Sequence, residues 1–218
     1  MIFKLKRCFI ILVFFISSLI LASCDYYVDS TEDGFIDYES IESTVKDAVL
    51  PGIVIVNDFV FGIIVNKSGS SYIVISGYNS VGNSSSHRIK DYNGVEYSAE
   101  LIKSSESVFL SMYRFTSTSS DIKVLQLSHS KPEKNNGIMT IGSNNAVKFG
   151  SAYEESFNNS LNTVLFSHTA QSTTLNGSSI VFDHSGVVVG IEVGSSILST
   201  NGRTTRYAVH AGRIRDFL

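Results

Sequence analysis

Leu175 to Ile191 reads LNGSSIVFDHSGVVVGI. Small residues lead into an apolar run, His184-Ser185-Gly186 turns the chain, and a second β-branched run ends in Gly190-Ile191. Short apolar runs on either side of a turn signal read as two strands of a hairpin. The segment therefore places a row of small residues, Asn176 to Ser179, immediately before a buried strand.

The same texture continues in both directions. Segments 52–57, 59–66, 71–76, 96–102, 108–115, 123–128, 137–142, 162–167, 179–183, 186–193 and 206–211 are short, mostly β-branched, and separated by turn residues such as Asn66-Lys67-Ser68-Gly69 and Asn93-Gly94. Strands spaced in this way predict an all-β barrel or sandwich. Two places read as helix: Ser40 to Val49, which stops before Pro51-Gly52, and the C-terminal AGRIRDFL. No internal repeat is visible. Residues 48–218 are about the length of one domain or of two packed halves.

The N-terminus differs. Lys4, Lys6 and Arg7 precede an apolar run from Cys8 to about Ile20, followed by Leu21-Ala22-Ser23-Cys24. That run is shorter than the roughly 20 residues of a spanning helix, so residues 1–23 read as a secretory signal peptide, with a short anchor helix as the alternative. Leu-Ala-Ser-Cys resembles a bacterial lipobox, which implies cleavage between Ser23 and Cys24 and lipidation of Cys24 by acyl chains such as palmitate. Cys8 and Cys24 are the only cysteines, so the exported body would hold no disulfide. More than one acyl chain makes such an anchor stable, and the expected location is a bacterial envelope membrane, on its periplasmic or cell-surface side.

From Cys24 to Asp47 the chain is acidic, with Asp29, Glu32, Asp33, Asp37, Glu39 and Glu42 against Lys46. It reads as a solvated tether. A net charge of −3 offers no basic face for nucleic acid. His87, His129, His168, His184 and His210 are dispersed and form no ligand-like pair, and no phosphate-cradling glycine loop occurs, so neither a metal nor a cofactor is expected.

Several segments, in order, resemble the protease domain of the Deg/HtrA serine proteases, a branch of the chymotrypsin-like (trypsin-like, S1-type) family. IESTVKDAVLPGIVIVN resembles the family's opening helix and first strand, and FGIIVNKSGSSYIVISGYNSV its strand–turn–strand GSGVIID-G-YIVTNNHVV. NGVEYSAELI resembles DGREYEAELV, and VLQLSHSKPEKNNGIMTIGSNN resembles the segment that enters the second half. Leu175–Ile191 resembles the nucleophile segment GNSGGPL-D--G-VVGI, and RYAVHAGRIRDFL the closing strand and helix. The resemblance covers nearly all of residues 40–218 and stops where many relatives continue into PDZ domains. It implies two packed six-stranded antiparallel β-barrels with short helices at either end.

It also implies a triad, which can be checked position by position. The family's His falls on Tyr78, its acid on Phe109 and its Ser on Gly177. A phenol with a reference pKa near 10 is a poor base at neutral pH, Phe has no acceptor, and Gly has no nucleophile. The glycines that follow the family's nucleophile are Ser178 and Ser179 here, and the preceding one is Leu175. Ser178 or Ser179 is the fallback nucleophile if the alignment slips, with His87 the nearest histidine; a one-residue slip would need a bulge to keep the strand faces, and Glu106, the nearest acid, falls on the opposite strand face from Phe109 by parity and does not rescue the third position. The expectation is a pseudoprotease that binds a protein or peptide in the cleft between barrels. An active serine endopeptidase and an adhesin or surface cover protein are the alternatives.

Overall fold

The computed structural model describes residues 38–78, 86–142, 145–159, 162–171, 178–198 and 204–218, and within these every side chain except those of 38–41, 194–198 and 204. The expected signal peptide, Cys24, most of the acidic tether and Gly177 lie outside the described residues. Among the described residues no helix is long and apolar enough to cross a membrane.

β-Branched and aromatic residues favour the pleated strand because their branched side chains fit its half-buried surface. The chain pairs accordingly into two six-stranded antiparallel sheets. The first is built from β1 (Ile53–Val56), β2 (Val60–Ser68), β3 (Ser71–Gly77), β4 (His87–Lys90), β5 (Glu96–Ser105) and β6 (Leu110–Thr116). The second is built from β7 (Gly137–Ile141), β8 (Val147–Asn158), β9 (Thr163–His168), β10 (Ile180–Phe182), β11 (Val188–Leu198) and β12 (Thr204–His210). The first follows the order β1-β2-β3-β6-β5-β4 and closes through Val56 opposite Ile89. The second follows β7-β8-β9-β12-β11-β10, and Ile180 opposite Ile141 returns β10 to β7.

The two strand orders are the same, so the chain carries an internal repeat that its residues conceal. One short piece is legible after the fact. DYNGV (91–95) joins β4 to β5, and DHSGV (183–187) joins β10 to β11. In both the Asp carboxylate accepts two backbone N–H groups, from Asn93 and Val95 at 2.9 Å in one and from Ser185 at 2.9 Å and Val187 at 3.0 Å in the other. Both glycines are left-handed, with φ of 82° at Gly94 and 81° at Gly186. Asp183 is thereby a turn-building residue.

Strand alternation sends neighbouring residues to opposite faces, and in β6 both faces carry buried residues. Tyr113 and Phe115 of β6 pack with Val54, Val56, Tyr72 and Val74 inside the first sheet. Leu110 and Met112, on the other face, join Ile63 and Ile75 against Met139, Ile141, Ile180 and Phe182 of the second sheet. Each fully buried Ile or Phe in that layer contributes roughly 1.5–3 kcal/mol. A third cluster, including Ile138, Phe166, Val181 and Ala208, fills the second sheet.

Helix α1 (Tyr38–Val49) starts two residues earlier than expected and sends Val45 and Val49, one turn apart, into the layer between the sheets. A single 3₁₀ turn over Leu50–Gly52 follows, because Pro51 cannot continue the α-helix. Helix α2 (Ala211–Phe217) closes the chain as expected and buries Ile214 and Phe217 in the same layer.

Three expectations need correction. β4 and β8 were not anticipated, because HRIK and VKFGSAYEESFN put charged or small residues on a half-exposed face. Segment 123–128 is not a strand of either sheet. It is an extended linker between them, with Leu125 N–H bonded to Ile64 O at 2.8 Å and Ser128 N–H to Val188 O at 2.8 Å. Its Leu125 side chain fills the space a Cβ on Gly52 would need, 2.3 Å away.

Candidate functional site

β3 ends at Gly77, and the next residue, Tyr78, donates its backbone N–H to Phe109 O at 2.7 Å. Two of the expected triad positions are thus adjacent. Phe109 closes the turn before β6 through its N–H to Glu106 O at 3.2 Å, with φ of 56°. A bulky residue in the left-handed region is unusual and costs strain. Both Tyr78 and Phe109 are half-buried, and Phe109 packs against the layer between the sheets.

The second sheet meets this edge at Ser178 and Glu192. A Cβ built on Gly77 would stand 3.7 Å from Ser178 Oγ and 3.5 Å from Glu192 O. Tyr78, Phe109 and Ser178 therefore converge at one seam. Ser178 is 3% exposed and its Oγ has no hydrogen-bond partner among the described residues.

Ser179 is fully buried and donates its hydroxyl to Glu192 Oε2 at 2.6 Å. Glu192, itself buried, is also approached by Arg206 Nη1 at 3.4 Å and by His168 Nε2 at 3.2 Å. The His168 approach lies off the hydrogen-bond direction, so among the described residues both ring nitrogens lack a hydrogen-bond partner. The result is a Ser179–Glu192–His168 line with the carboxylate in the middle. A protease needs the imidazole in the middle, where it takes the hydroxyl proton and is oriented by the acid. This arrangement can hold buried charge, but its hydroxyl hydrogen already belongs to a carboxylate. The sequence signal for it was the lone acid in VVVGIEV.

The other groups are engaged elsewhere. His87 stands with its Nδ1 3.1 Å from Asn57 Nδ2 and its ring edge-on to Tyr113, centroids 5.2 Å apart. Burial raises the Tyr113 phenol above its ordinary value, while hydrogen bonds from Ser111 and Ser76 oppose that rise. Those serines belong to a hydroxyl row behind Tyr78, in which Ser76 Oγ donates to Gly77 O at 3.1 Å and Ser104 and Ser111 pair at 3.0 Å. Glu106 contributes its backbone carbonyl to the Phe109 turn. The His184 ring covers Gly137, and His210 caps α2. Among the described residues no three His, Cys, Asp or Glu side chains are grouped to hold a metal ion. No family model matches the chain, and no curated protein matches it.

Proposed function

We propose that this chain is a lipid-anchored bacterial envelope protein whose body is a degenerate trypsin-like protease domain of the Deg/HtrA kind, acting by binding a protein or peptide. The observation that carries the reading is the seam itself. Tyr78 and Phe109 meet there through one backbone hydrogen bond, Ser178 lies against the adjoining Gly77, and the neighbouring hydroxyl of Ser179 is committed to Glu192. Such a seam offers two half-buried aromatic side chains and a polar edge but, among the described residues, no imidazole on Ser178 or Ser179. Clefts with apolar walls and few polar groups are common recognition sites.

The unpartnered Ser178 hydroxyl favours one rival, a serine endopeptidase with its nucleophile at Ser178. A fluorophosphonate probe on the full chain in detergent separates the two. Binding without cleavage predicts no label above that of a Ser178→Ala variant. Covalent labelling lost in Ser178→Ala establishes the endopeptidase instead. The binding reading also requires a partner captured from envelope extract that Tyr78→Ala weakens at least about tenfold; capture indifferent to Tyr78→Ala sinks it and leaves the adhesin reading.

A further inference from the structure

His210 ends β12 and caps α2, its Nδ1 accepting the Gly212 N–H at 3.0 Å. A neutral ring in that role carries its proton on Nε2, which stands 2.9 Å from Glu155 Oε1 of β8. The other Glu155 oxygen is 2.7 Å from Lys131 Nζ of the linker. Arg213 and Arg215 of α2 also act on the ring, so three cations and one already paired carboxylate face it. Glu133, Lys134 and Glu154 line the same surface hollow as Lys131 and Glu155.

Helix α2 is a clasp across the protein. Lys103 of β5 donates to Phe217 O at 3.1 Å and lies 4.3 Å above the Phe217 ring. Arg213 donates to Thr163 Oγ1 at 3.1 Å, and Arg215 donates to Ser128 O in the linker. Val108, the residue before Phe109, shares a hollow of about 300 Å³ with Arg213, Asp216 and Phe217. The helix thus ties the second sheet to the first beside the candidate site.

Protonating the ring turns its Nδ1 from acceptor to donor, facing a donor. The added charge also sits at a helix N-terminus, where cations are disfavoured. We propose that His210 is a proton-operated latch: neutral, it caps α2 and holds the clasp; protonated, it frees the first turn and loosens the Phe217–Lys103 and Val108 contacts next to Phe109.

Burial pushes the His210 imidazole below its ordinary 6.5; Glu155 opposes that shift, and Lys131, Arg213 and Arg215 add to it. The folded state therefore prefers the neutral ring. This stabilisation is complete above about 6.5 and is lost as pH falls below it toward the folded-state value.

The test is amide hydrogen exchange by NMR on the full chain, with protection factors for α2 compared at about pH 7.5 and at a pH below the midpoint of the His210 ring's own NMR titration. The latch predicts a roughly five- to tenfold loss of protection at Gly212 and its neighbours, the scale of a lost cap, while β6 and β10 keep theirs. His210→Asn keeps a cap acceptor but does not titrate, so its α2 protection should not change with pH. Unchanged wild-type protection, or the same loss in His210→Asn, overturns the proposal. Should that variant not fold, the His210 ring titration decides: its midpoint must coincide with that of the α2 amide shifts, and separate midpoints refute the latch.

Discussion

Replacing Phe109 with Gly and with Ala should reverse the usual order of those two residues. The backbone at Phe109 has φ of 56°, a conformation that costs a side-chain-bearing residue about 1–2 kcal/mol. The half-buried ring recovers about 1 kcal/mol, near half of what full burial contributes. Phe109→Ala keeps the strain and loses the ring, so it should destabilise by about 1 kcal/mol. Phe109→Gly loses the ring too, but relieves the strain, less roughly 0.5–1 kcal/mol for the greater freedom of glycine in the unfolded chain. The Gly variant should therefore lie about 0.5–1 kcal/mol above the Ala variant and close to wild type. In an interior strand or helix position glycine falls below alanine by a similar amount. Urea titrations read the difference at constant m, and thermal scans should place the Gly variant about 2–3 °C higher. An Ala variant as stable as the Gly variant would refute the argument, because the turn would then not hold residue 109 left-handed.

Two further predictions concern the second sheet. Glu192→Ala leaves the buried His168 and the partly exposed Arg206 without their carboxylate and should cost about 2–3 kcal/mol, and Ser179→Ala about 1.5–3 kcal/mol, in thermal or urea unfolding. Because the two share one carboxylate, the double variant should lose less than the sum; strict additivity would show that they do not interact. Gly190→Ala would place a Cβ 2.6 Å from both Phe166 Cε1 and the backbone oxygen of Val209. Overpacking of about 1–3 kcal/mol should follow, visible as a lowered urea midpoint, whereas a variant as stable as wild type would mean that β11 and β12 separate freely.

Strands with buried residues on both faces announced themselves, because β1 (IVIV), the first part of β2 (VFGIIV) and the middle of β3 (YIVI) are almost entirely β-branched or aromatic, and β6 is largely apolar. β8 escaped notice since only Val147, Ala152 and Asn158 of its twelve residues are buried, and Lys148, Glu154 and Ser156 meet solvent. The linker at 123–128 misled for the complementary reason: apolar pattern reports burial, and Leu125 is buried between sheets without belonging to either. At the site, resemblance pointed to Tyr78 and Phe109, but no property of Phe as a residue type predicts φ of 56°. Glu192, the lone acid in an apolar run, was passed over, and its partners were not legible, because strand pairing and packing alone bring Ser179, His168 and Arg206 to it. The strand-order repeat stayed hidden since only the two Asp–Gly turns preserve it in residues.

Those two turns share a backbone but not a duty. Around Gly94 a Cβ would meet nothing within 4 Å, whereas at Gly186 it would stand 3.2 Å from Val49 Cγ1. The copy on the second sheet has become the seat of α1, although the chain next builds the first sheet. A pull on the N-terminal segment would thus load, through Val45 and Val49, the layer that both sheets share. Because Phe109 packs against that same layer, the seam would share the load.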